Sequence, residues 1–147
     1  MKTSDKGIAF IKSFETLRLQ AYKPVRTEKY YTIGYGHCGP DVTHDATITE
    51  AEAEQMLAED LADTERAVSN ATTGWNLKQC QFDALASFTF NVGVNAFQNS
   101  TLLKLIKQGA SGKAIRDEFA RWCYSDGRVL KGLQRRRQAE ADMYFSK

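Results

Sequence analysis

The sequence predicts an α+β fold: a small N-terminal β-lobe and a larger helical lobe joined by a long helix. Three observations predict it. Aromatic and β-branched residues cluster in two short runs between residues 18 and 35. Thr49 and Glu52 form a capping box ahead of an unbroken helical stretch. Beyond residue 72 apolar residues recur at helical spacing almost to the last residue.

Ile8, Ile11 and Phe14 predict a helix over about 5–15, with Glu15 at its C-terminal end. A carboxyl there meets the negative end of the helix dipole, which disfavours its ionised form and suits a proton donor. Arg18 to Tyr22 and Tyr30 to Tyr35 read as two strands joined by a turn containing Pro24, giving a β-lobe over about 16–48. The helix over 49–71 carries a narrow stripe of Leu57, Leu61 and Val68, and its many acidic residues read as solvated surface. About 20 helical residues span roughly 30 Å, enough to connect two lobes.

In the segment 72–147, Leu77, Cys80, Phe82, Leu85, Phe88, Phe90 and Val92 surround most of a helical wheel, the pattern of a buried core helix. Gly93 reads as its left-handed cap, and Asn91 is a polar group near its end, either facing substrate or satisfied by local backbone. Shorter helices are expected near Ser100 and Lys113, the second with Ile115, Phe119 and Trp122 on its apolar face. Ser125-Asp126-Gly127 marks a turn, and a last helix opens at Gly132. With the N-terminal helix packed on this lobe, the 147 residues make a single domain.

Twenty Lys and Arg against eighteen Asp and Glu leave a formal charge of +2, far from a nucleic-acid-binding excess. Arg135, Arg136 and Arg137 point in different directions on a helix, and an Arg136 to Glu140 contact on a solvent-facing surface is worth a few tenths of a kcal/mol. Cys38, Cys80 and Cys123 are an odd set without close pairing, read as reduced thiols. No apolar run resembles a signal-peptide core or a membrane span, so no stable membrane association is expected. His37, Cys38 and His44 match no common zinc spacing, and neither metal nor cofactor is expected.

Four ordered motifs remain: Phe14-Glu15-Thr16-Leu17-Arg18, Tyr31-Thr32-Ile33-Gly34-Tyr35-Gly36-His37, Phe88-Thr89-Phe90-Asn91-Val92-Gly93 and Gly132-Leu133-Gln134-Arg135-Arg136-Arg137. Together they make the chain similar to the phage-type lysozymes, or endolysins. The resemblance implies a lysozyme-like fold and hydrolysis of the β-1,4 bond between N-acetylmuramic acid and N-acetylglucosamine in peptidoglycan. It also implies a monomer held in the host cytoplasm until a separate holin opens the way to the wall. Glu15 would be the acid, Thr32 would help position the attacking water, and an arginine of the last motif, taken here as Arg137, would pair with Glu15. Tyr35, His37 and Asn91 are the expected substrate contacts; for His37 a purely structural bond to the β-lobe is the competing reading.

The chain departs from the family at one point. Where the family usually carries an Asp or sometimes a Cys, six positions before Thr32, stands Arg26, and nine positions after Glu15 stands Pro24. Inverting hydrolysis uses a second carboxylate roughly 6.5–9.5 Å from the first. Glu28 is the nearest replacement, with Asp41 and Asp45 as alternatives in a loop where Asp commonly supports turns. Two other readings stay open: a lytic transglycosylase, in which Glu15 serves as the sole acid/base, and a peptidoglycan-binding protein without catalysis.

Overall fold

The computed structural model describes residues 1–147. Its first helix, α1 (Asp5–Phe14), begins at Ser4, whose Oγ accepts the Gly7 N–H at 3.0 Å. Ser4 N–H in turn donates to Asp83 at 3.0 Å. Gly7 is required by this packing, since a Cβ there would lie 2.6 Å from the Asp83 carboxyl carbon. The helix ends one residue earlier than its apolar spacing predicts, which leaves Glu15 just past its last turn.

β1 (Arg18–Tyr22) matches the predicted strand, whereas β2 (Thr32–Gly34) is half the predicted run because positive φ at Gly34 and Gly36 turns the chain. β3 (His37–Cys38) follows that turn, and the sheet is antiparallel in the order β1-β2-β3. Thr32 pairs with Tyr22 on one side and Cys38 on the other. The Thr49–Glu52 capping box is present in both directions and opens α2 (Glu50–Ala71). The expected stripe of α2 is buried, with Leu57, Leu61 and Val68 each at most 3% exposed.

α3 (Gln79–Val92) is buried without interruption from Phe82 to Thr89, as its all-round apolar pattern requires. Gly93 closes it with φ 100° and ψ 153°. That conformation extends the chain instead of coiling it as a left-handed cap, and it leads directly into α4 (Val94–Gln98), a turn of helix the sequence reading does not contain. α5 (Thr101–Lys107) and α6 (Gly112–Arg121) start at Ser100 and Ser111, whose hydroxyls accept the N–H groups of Leu103 and Ala114. The expected turn at Asp126-Gly127 is the two-residue loop of a hairpin, β4 (Tyr124–Ser125) with β5 (Arg128–Val129). Both loop residues have positive φ, the geometry an Asp-Gly pair favours. α7 (Lys131–Tyr144) packs chiefly on α3.

The chain forms two compact units, one of residues 9–63 and one of residues 1–8 with 64–147. In the second, Phe88 sits edge-on to Phe97, Phe119 and Trp122, with ring centroids 5.3–6.4 Å apart.

Arg136 and Arg137 depart most from expectation. They are 3% and 0% exposed and flank Glu140, which is also fully buried. Arg136 Nε donates to Glu140 Oε2 at 3.2 Å and Ser87 Oγ donates to the same oxygen at 2.6 Å, while Arg137 Nε lies 3.0 Å from Oε1. The Arg136–Glu140 contact therefore belongs to the interior and not to a solvated helix face. Burial pushes the Glu140 carboxyl upward and the Arg137 guanidinium downward, against their mutual attraction. Such a network gains little over an apolar core, but breaking one member leaves charge stranded in it. Glu140→Gln is accordingly expected to cost about 3–5 kcal/mol, read as a lower urea midpoint at unchanged slope.

Candidate active site

Glu15 is half-buried where α1 stops, its N–H donating to Lys12 O at 3.1 Å. Its carboxyl lies close against Gly36. A Cβ at that position would stand 2.9 Å from Glu15 Oε2, so the carboxylate rests against bare backbone in the turn between β2 and β3. Gly36 has φ 83°, so the position excludes a side chain for conformation as well as for space.

Thr32 opens the central strand of the sheet and is 6% exposed. Tyr35, within the turn, is buried, with its OH 3.4 Å from Glu54 Oε1 on α2. Lys12 of α1 bonds the same Glu54 oxygen and holds its ammonium 5.1 Å from the centre of the Tyr35 ring. The bond to Glu54 raises the Lys12 pKa, and burial raises that of Tyr35. One carboxylate thus ties α1, the turn and α2 together.

His37 is held from two sides. Its Nδ1 lies 2.9 Å from Asp60 on α2, and its Nε2 lies 2.9 Å from Asp41. Burial disfavours the imidazolium, but the hydrogen bonds and charges of Asp41 and Asp60 outweigh it and hold the His37 pKa above its ordinary 6.5. Asp41 is lowered by the same bond. Asp45, exposed, accepts from Thr43 Oγ1 at 3.0 Å, which keeps its carboxyl low. Both loop aspartates thus have local partners. Glu28 is half-buried in the turn after β1, its N–H donating to Val25 O at 3.0 Å, while Pro24 and Arg26 are exposed.

The remaining candidates lie in the other unit and meet each other. Arg137 Nη2 donates to Asn91 Oδ1 at 2.6 Å, which orients the amide of exposed Asn91 and spends one donor of the buried guanidinium. The same guanidinium stacks 5.1 Å from the centre of the Phe88 ring. Glu15, Glu28, Thr32, Tyr35 and His37 belong to residues 9–63; Asn91 and Arg137 belong to residues 64–147.

Sequence reasoning missed Gly36, Glu54 and Asp60. The two acids were assigned to the solvated face of α2. Their signal is positional: Glu54 follows buried Ala53 and Asp60 precedes buried Leu61, so both flank the apolar stripe.

The sequence matches the family described as Phage lysozyme over residues 12–140. It is 47% identical over 146 residues to an endolysin of Bacillus phage PZA, covering 99% of this chain but 56% of that relative, so the chain spans little more than half its length. An endolysin of Acyrthosiphon pisum secondary endosymbiont phage 1 is 40% identical over 156 residues, with 99% of each chain covered. Among solved structures, the muramidase domain of SpmX from Asticcacaulis excentricus superposes with a TM-score of 0.88 at 35% identity, covering 99% of both chains.

The His37 clamp has a measurable consequence. A folded-state pKa above the unfolded value gives stability that is complete below about 6.5 and lost as pH rises through the folded value. The lowered Asp41 gives stability present above about 3.8 and lost as pH falls through its folded value. His37→Asn is therefore expected to lower Tm more at about pH 5.5 than at about pH 9. A Tm difference independent of pH would remove the clamp's electrostatic role.

Proposed function

The chain belongs to the phage lysozyme family, and from that membership we propose that it hydrolyses the β-1,4 bond between N-acetylmuramic acid and N-acetylglucosamine in bacterial peptidoglycan, in the service of host-cell lysis. The observation that carries the reading is the seating of the Glu15 carboxyl against Gly36, in the turn that follows Thr32. An acid must reach the glycosidic oxygen in a fixed orientation, because proton transfer is effective only within hydrogen-bonding distance. The helix end, the glycine and the buried strand supply that orientation.

In this proposal Glu15 protonates the leaving oxygen and Thr32 positions the water that attacks from the opposite face of the sugar. Glu28 is the proposed base for that water. Its support is chemical: Asp41 and Asp45 are each engaged by a neighbour, with His37 and Thr43 respectively, and inverting hydrolysis asks for a second carboxylate besides the acid. Tyr35 and His37 support the turn through Glu54, Asp41 and Asp60, so in this reading they act on substrate through the shape of the turn. The proposal extends to a monomer without cofactor, released from the host cytoplasm to the wall by a separate holin.

Mass spectrometry of muropeptides after digestion of purified peptidoglycan tests the reading. Wild type is expected to leave reducing muramic-acid ends, and Glu15→Gln none. Ends in the 1,6-anhydro form would replace hydrolysis by transglycosylation. Glu28→Gln is expected to lower kcat by about 10²–10⁴ if it is the base; unchanged turnover would remove it. Gly36→Ala adds a Cβ 2.9 Å from Glu15 Oε2 at φ 83°. It is expected to reduce kcat more than tenfold, beyond what its loss of thermal stability explains at a temperature where the variant stays folded.

A further inference from the structure

The formal charge of +2 hides a segregation. Residues 9–63 carry five Lys and Arg against ten Asp and Glu. Residues 1–8 and 64–147 carry fifteen against eight, a formal excess of seven positive charges. Part of that excess is gathered in one place. A groove of about 670 Å³ runs between α6 and α7, lined by Arg116 and Ala120 on one side and by Lys131, Gln134, Arg135 and Gln138 on the other. Arg137 contributes to the same groove from the interior, and its Nη1 has no hydrogen-bond partner.

We propose that this groove binds a polyol phosphate, a chain of short alcohols joined by phosphodiesters, as a site separate from glycan cleavage. Lys131 and Arg135 are exposed and make no ion pair, so their charge is available. The groove's one acidic residue, Asp117, is occupied by Lys113 at 2.7 Å, and Arg116 is fixed by Asp142 at 2.7 Å with its guanidinium 5.0 Å from the centre of the Phe145 ring. Lys131 and Arg135 stand one helical step of four residues apart, roughly 6 Å along the axis, so they meet successive charges of a repeating polyanion. Arginine adds the forked donors that suit phosphate oxygens, and the two glutamine amides suit the hydroxyls between them.

The lining also narrows the polymer. No aromatic residue faces the groove, so the bases of a nucleic acid would find no stacking surface there. The large exposed apolar side chains lie outside the lining, and the one that abuts it, Phe145, is stacked against the Arg116 guanidinium, so an anionic lipid surface would meet charge first and little free apolar surface. A thin, flexible phosphodiester chain fits both constraints.

The test is calorimetric titration of the whole protein with soluble poly(glycerol phosphate) at low and physiological salt. Wild type is expected to bind, more weakly as salt rises. Lys131→Gln/Arg135→Gln is expected to lose at least about tenfold in affinity, while Lys104→Gln/Lys107→Gln, an equal loss of charge on α5 of the same unit, keeps it. Equal losses in both double variants would overturn the site in favour of diffuse attraction. Equal affinity for a single-stranded oligonucleotide or for phosphatidylglycerol vesicles would overturn the polyol phosphate assignment, as would no binding at low salt. Because the readout is binding, its failure leaves the assignment of Glu15 untouched.

Discussion

The close approach of the Glu15 carboxyl to Gly36 joins the end of α1 to the turn of the β-lobe. Glu15 Oε2 occupies the space a Cβ would take, which places a helix end directly against the turn of an antiparallel sheet. Such a contact survives only if neither partner moves, and each is anchored separately. Lys12 and Tyr35 converge on Glu54, and His37 is held between Asp41 and Asp60. Three of these anchors are exposed or half-exposed ion pairs and hydrogen bonds, each worth about 1 kcal/mol or less. Their value lies in geometry: they tie α1, the turn and α2 to one another.

The helical unit solves its electrostatics in the opposite way. Arg136, Arg137 and Glu140 are taken out of water together, where desolvation rivals the attraction between them. Burial pushes the Glu140 carboxyl up and the Arg137 guanidinium down, against the attraction between the two. The return on that cost is orientation. Arg137, rigid in the core, fixes the amide of Asn91 at the end of α3, and the Phe88 ring beneath its guanidinium joins the same aromatic cluster that packs α4, α6 and α7.

How much of this was legible depended on whether the signal was local. The capping box at Thr49, the five residues of β1 and the buried run of α3 are written in adjacent residues, and they appear as read. Asp126-Gly127 announced a turn, and its hairpin followed from the same positive-φ preference. α4 was hidden because Gly93 punctuates the chain without ending the helical path. Arg136 and Arg137 could not be read as buried, because charge predicts exposure and the α3 residues that receive them, among them Ser87 and Asn91, lie far away in sequence. The motif singles out Glu15, but the close approach of Gly36 to it has no such signal, since a glycine in a turn has many uses and only the fold shows which atom lies beside it.

Segregated charge also bears on how the chain, in the proposed role, would meet its polymer. A uniform excess would hold the protein on any anionic surface, and slow release would limit turnover once chemistry is fast. Here the acidic residues concentrate with Glu15 and the basic ones with the helical unit. The net negative charge of residues 9–63 disfavours an anionic polymer lodging on that unit. The basic groove between α6 and α7 on the other unit attracts such a polymer. The two properties conflict within a single small surface. They become compatible when the sequence divides them between two compact units.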